Sequence, residues 1–155
     1  MTASSWARVA HMRRSAIGYR VGNEHNPGDP FGRSELVIAG DGEARLDHHG
    51  RGSGHRAWTG RIDPAALDRL WIALELARFP VAPGDDITPG AAIRELRVDD
   101  QVVLIEWHTG AKLAGYRDAF GLLDAIVRQL SEDTVRATPP GPVIVSAISR
   151  VAVQP

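Results

Sequence analysis

Cysteine is absent from the 155 residues. That excludes disulfides, cysteine nucleophiles, iron–sulfur clusters and thiolate-bound zinc. Lysine is almost absent as well: Lys112 is the only one among 18 basic residues, and Asn occurs only at Asn23 and Asn26. Arg, Ala, Gly and Pro in place of Lys and Asn is the mark of codon bias in a GC-rich bacterial genome. It is not evidence for guanidinium chemistry. The balance of charge is close to even, with a formal net charge of −1. A strongly basic nucleic-acid binder is therefore disfavoured, and nothing points to a membrane surface. Long apolar runs are missing too. Stretches such as Leu36–Ala39 and Val102–Ile105 fall far short of the ~20 residues that span a bilayer. Met1–Ala10 lacks the apolar centre of a secretory leader. A cytoplasmic protein is the expectation.

The common chemical signatures are also missing. Gly40-Asp41-Gly42 is followed by a charged alternating stretch, not by a helix opening, so it is no dinucleotide fingerprint. No segment has P-loop spacing. Gly52-Ser53-Gly54 lacks the spacing of a nucleophile elbow and falls between strands, not at a strand-to-helix turn. The acidic pairs Asp85-Asp86, Asp99-Asp100 and Glu132-Asp133 fall in turns or at a helix end, where carboxylates cap and solvate. No stretch carries a family motif, and no cofactor is expected.

What is present is enough apolar sequence for one core. Hydrophobic residues make up 43% of the chain, and a domain of this length buries roughly two thirds of its unfolded surface. Alternation marks strands at Arg14–Val21, Glu35–Ala39, Glu43–His49 and Arg56–Ile62. Gly40-Asp41-Gly42 supplies a hairpin turn. Asp63-Pro64 opens a helix that is expected to run to about Arg78, with Leu67, Leu70, Trp71, Leu74 and Ala77 as its stripe. Ile72, Leu76 and Phe79 widen that stripe. Ala92–Val98 and Gln101–His108 flank Asp99-Asp100 as a second hairpin. The latter strand is apolar on both faces over its first half, which suggests a central position in the sheet. A second helix covers about Arg117–Leu130, with Phe120, Leu123, Ile126, Val127 and Leu130 inward.

Strands and helices do not alternate strictly, so a doubly wound parallel sheet is disfavoured. The expected fold is α+β: an antiparallel sheet of about five strands with two helices packed on one face. Residues 1–12 form an N-terminal arm and 13–131 the single domain. Residues 132–142 form a Pro-rich linker, and 143–155 an apolar segment that reads as an added strand.

Two groups of residues are candidates for function. Asp47-His48-His49 and His55 place three imidazoles and a carboxylate within nine positions, enough for a divalent metal. His48, His49 and His55 are the expected ligands, although adjacent residues of a regular strand point to opposite faces. The second group is aromatic and aliphatic. Trp71 and Trp107 share faces with core residues. Trp58, between arginines near a glycine-rich loop, reads as an exposed strand edge. Trp6 has no core role, and Ile144, Ile148 and Val151 lie beyond the linker. Aromatic residues beside Arg are typical of interface hot spots. The leading expectation is therefore a non-enzymatic protein-interaction module or accessory subunit of a bacterial assembly. It would bind another chain or a second copy of itself through Trp6, Trp58, Ile144, Ile148 and Val151. The alternatives are a metal-binding protein or metal-dependent enzyme built on the histidines, and a small-molecule binder in the cleft between sheet and helices.

Overall fold

A computed structural model describes residues 13–22, 32–50, 54–82, 87–88, 91–110, 112–131 and 143–153. The elements run β1 (Ile17–Gly22), β2 (Arg33–Ile38), β3 (Glu43–Gly50), β4 (Gly54–Ile62), α1 (Pro64–Leu76), β5 (Ile93–Val98) and β6 (Gln101–Glu106). A short turn α2 (Trp107–Gly110), α3 (Tyr116–Ser131) and β7 (Val145–Val151) follow. The fold is α+β with one sheet in the order β6-β5-β1-β2-β3-β4-β7, every neighbouring pair antiparallel. It has seven strands against the five or so expected: all six alternating segments pair, and β7 joins beside β4 as the added strand. The third helix is the turn α2, where a strand was expected to continue to His108.

The period-2 pattern decides which face is buried. Ile17, Tyr19, Leu36, Ile38, Leu46, Trp58, Leu96, Val98, Val103 and Ile105 point inward and are all buried. They meet Leu70, Trp71 and Leu74 of α1 and Phe120, Leu123, Ile126 and Leu130 of α3 in one cluster. α1 starts where the Asp-Pro signal places it: the Asp63 carboxylate accepts from Ala66 N–H at 3.3 Å, and Pro64 takes the first helical position. Its end comes two residues before the expected Arg78. Arg78 adopts φ 59°, and the Phe79 N–H donates back to the Leu74 carbonyl at 3.0 Å. This is a left-handed cap that closes the last turn. Phe79 is buried, but Ile72 and Leu76 are exposed and do not widen the stripe as expected.

Two further expectations are corrected. β6 lies at an edge of the sheet and not at its centre. Apolar side chains on both faces report what lies above and below a strand, not what hydrogen-bonds to its sides. On β6 the outward Val102 and Leu104 are 39% and 45% exposed. Trp107 does not continue the inward face of Val103 and Ile105. The backbone coils into α2 at this residue, and the ring is 39% exposed. Gly110 permits that coil: a Cβ there would lie 2.8 Å from the Phe120 ring.

Among the described residues no helix is long and apolar enough to cross a membrane.

Candidate functional site

The strand register separates the three histidines. His48 shares the inner face with Leu46, whereas His49 lies on the outer face. His49 pairs with His55 across β3 and β4, and the two rings stack with centroids 4.3 Å apart and an interplanar angle of 21°. His55 Nε2 lies 2.6 Å from Asp47 Oδ1, and Arg45 grips the same carboxylate at 2.8 and 3.0 Å. Arg45 and His55 together hold Asp47 below the usual carboxylate range. Among the described residues no group of three or more His, Asp or Glu is arranged to hold a metal. His48 is hydrogen-bonded to a hydroxyl on the other face: its Nδ1 lies 2.8 Å from Ser34 Oγ. Burial, with smaller contributions from Arg56 and His49, pulls its pKa below the ordinary value. The serine beside a histidine is therefore Ser34; Ser53 lies outside the described residues.

The candidate contact residues also fall in different places. Trp58 is 2% exposed on the inner face of β4, a strand flanked by β3 and β7, so it is a core residue and not an exposed edge. Ile144 is buried and Ile148 packs against the core from the side, while Val151 is half-buried opposite Ala57. The Gln129 carboxamide oxygen on α3 accepts from both Ile144 and Val145 N–H, at 2.9 and 3.0 Å, which ties the start of β7 to the helix. The C-terminal segment thus completes the chain's own sheet. Trp6 lies outside the described residues.

The outer face of the sheet is a lattice of ion pairs. Arg20 reaches Glu35 at 3.2 Å and Glu95 at 3.9 Å, Arg33 reaches Glu35 at 3.0 Å, and Arg97 reaches Glu95 at 3.6 Å. Exposed pairs of this kind contribute about 0–1 kcal/mol each. Their main consequence is that this face is polar and internally compensated.

A buried cluster was missed by the sequence reading. Arg94, 6% exposed, points inward from β5. Its Nη1 donates to both oxygens of Asp124 on α3, at 3.0 and 2.9 Å, and to the Tyr19 hydroxyl. That hydroxyl in turn donates to Asp124 at 2.7 Å. The guanidinium lies 3.4 Å from the Trp107 ring centre and 4.8 Å from that of Phe120. This stacking explains why the half-exposed Trp107 is held in place. The signal was available: Arg94 alternates with Leu96 and Val98, so its side chain has to face the core.

Burial, together with Asp124, pushes the Tyr19 phenol well above its ordinary value, and burial pushes Tyr116 up to about 12. The folded state then keeps two protons that the unfolded chain releases near pH 10. Stability is full below that value and declines above it, by about 1.4 kcal/mol per pH unit for each phenol. The chain has only 2 tyrosines, so the slope is assignable. Urea melts between pH 9 and 12 are expected to show this fall, and Tyr19→Phe to about halve its slope. A slope unchanged in Tyr19→Phe would show that this phenol is not held protonated by folding.

The outer side of β6, which pairs with no strand among the described residues, is a different kind of feature. The Trp107 N–H donates to the Ala92 carbonyl at 2.9 Å, in register with the Ile93–Glu106 pair. Antiparallel ladders alternate, so the backbone groups of Gln101, Val103 and Ile105 face β5. Those of Val102, Leu104 and Glu106 face away from it. Gln101–Ile105 carries no charge, proline or bulge, and Glu106 puts a single carboxylate at the end of the strand. The opposite edge, β7, is irregular. Its register with β4 shifts between Thr59 and Arg61, Ala147 adopts φ 51°, and Arg150 is exposed.

Comparison with protein-family models, with curated proteins and with solved structures finds no match for this chain.

Proposed function

We propose that the protein is a non-enzymatic interaction module that takes a strand from another chain along β6, and that the partner is a second copy of itself. The observation supporting this most is the contrast between the two sheet edges. Natural edge strands are protected by charge, proline, bulges or covering segments, because a bare edge templates pairing with another chain. β7 carries such devices. β6 presents the backbone groups of Val102 and Leu104 with uncharged, half-exposed side chains beside them. Antiparallel pairing of two β6 strands about a two-fold axis gathers Val102 and Leu104 of both copies on one face and supplies a ladder of main-chain hydrogen bonds. The charged outer face beside it is largely paired among the described residues, whereas the outward backbone groups of β6 have no partner among them.

Leu104→Lys tests this. The side chain is 45% exposed, so its replacement is expected to change stability by about 0.5 kcal/mol or less, while a charge on the edge blocks strand addition. Sedimentation at micromolar concentrations is expected to give a dimer for the native chain and a monomer for Leu104→Lys, with superimposable urea melts. A native chain that stays monomeric, or a variant that dimerises equally well, contradicts the proposal.

A further inference from the structure

The end of the sheet where β4 begins and β7 finishes holds a hollow of about 370 Å³, lined by His55, Arg56, Arg150, Val151, Ala152 and Val153. Two arginines meet there, and neither has a carboxylate partner among the described residues. This is unlike Arg20, Arg45, Arg94 and Arg97, each of which is paired with an acid. His55 also borders the hollow, but its ring is turned to the outer face of the sheet, where it is held by Asp47 and stacked on His49. The Arg56 guanidinium is set 5.6 Å from the centre of the Trp58 ring. Its Nε is buried and has no hydrogen-bond partner, and neither has the indole Nε1 of Trp58. A buried donor without an acceptor costs about 1–3 kcal/mol, so the Nε of Arg56, a residue that lines the hollow, marks a place where an acceptor is stabilising.

We propose that this hollow binds a phosphate-bearing small molecule, with the phosphate between the guanidinium groups of Arg56 and Arg150. A phosphate monoester carries close to two negative charges, matching two cations that have no acid partner among the described residues. Its oxygens suit the parallel N–H forks that guanidinium groups present. Cation–π contact with Trp58 positions Arg56 in advance, which lowers the cost of ordering it on binding. The main-chain and aliphatic wall of Val151–Val153 accommodates the organic part, and the volume suits a molecule the size of a sugar phosphate. A bulge in β4–β7 pairing separates this end from the rest of β7, so the sequence spacing of Arg56 and Arg150 gives no hint of the site.

The probes are inorganic phosphate and glycerol 3-phosphate, each titrated into the full chain at constant ionic strength, with acetate and chloride as comparisons. Binding is read by calorimetry and by the amide and indole N–H resonances. Both phosphates are expected to saturate, to move the Trp58 indole resonance and to raise the melting temperature. Arg150 is exposed, so Arg150→Ala is expected to fold normally and to weaken binding at least tenfold. Arg56→Lys, which keeps the charge but loses the fork, is expected to give a smaller loss. Arg117→Ala, on the exposed side of α3, is expected to leave binding unchanged. The proposal is overturned if the response is linear without saturation, if acetate saturates equally, or if Arg150→Ala and Arg117→Ala behave alike. None of these outcomes depends on the oligomeric state.

Discussion

Removal of residues 139–155 is expected to cost about 3–6 kcal/mol and to leave the shortened chain largely unfolded in mild urea. Ile144 and Val145 are 4% and 3% exposed. Burying an aliphatic side chain of this size contributes about 1.5–3 kcal/mol. The same cut strips the β7 ladder from β4, uncovers Trp58 and Ile62, and removes both N–H groups that the Gln129 oxygen accepts. Against a total stability of about 5–15 kcal/mol, little would remain. The apolar, β-branched tail could equally have served a partner; in that case the shortened chain would melt as before and lose only its assembly. Urea denaturation of the shortened protein separates the two. A loss under about 1 kcal/mol would show that β7 does not hold the sheet together.

The second large effect concerns Arg94. Asp124→Leu is expected to cost about 3–5 kcal/mol, because it leaves a guanidinium whose side chain is only 7% exposed without its counter-charge. Arg94→Met is expected to cost less, about 2–3 kcal/mol, since the Asp124 side chain is 33% exposed and water compensates part of the loss. The double variant removes both charges and leaves apolar groups against Trp107 and Phe120. It is expected to be more stable than the sum of the single losses implies, by about 1–3 kcal/mol. Urea melts of the four proteins give this coupling directly. Additivity within about 0.5 kcal/mol would mean that the two side chains act independently.

Much of the fold was legible because side-chain period reports burial. Ile17 and Tyr19, Ala44 and Leu46, and the stripe Leu70, Trp71 and Leu74 all face where alternation or helical spacing puts them. Asp63-Pro64 marks the start of α1 by chemistry alone. The misread elements share one cause. Period describes the faces of a strand, while its lateral neighbours depend on long-range pairing. β6 was therefore placed at the centre when it lies at the edge, and Trp58 was placed at an edge when it lies in the core. Trp107 failed for a local reason: the chain leaves the strand at that residue, and the alternation that assigned its side chain ends with it.

The candidate site was less legible. His48, His49 and His55 are close in sequence, but strand parity sends His48 to the opposite face. Ser34, the residue actually beside His48, is 14 positions away and is brought there by the β2–β3 register. Arg56 and Arg150 are further apart still. Arg94 alone could have been found in advance, as a cation at an inward position of an alternating strand.

The interaction reading rests on the free side of β6, and amide hydrogen exchange at Val102 and Leu104 tests it most directly. Both N–H groups face away from β5, so no bond within the described sheet protects them, whereas those of Val103 and Ile105 face that neighbour. At concentrations where the native chain is a dimer, Val102 and Leu104 are expected to exchange as slowly as Val103 and Ile105. They are expected to lose that protection on dilution and in Leu104→Lys. Rapid exchange at Val102 and Leu104 at every concentration, with Val103 and Ile105 protected throughout, would contradict strand addition at this edge.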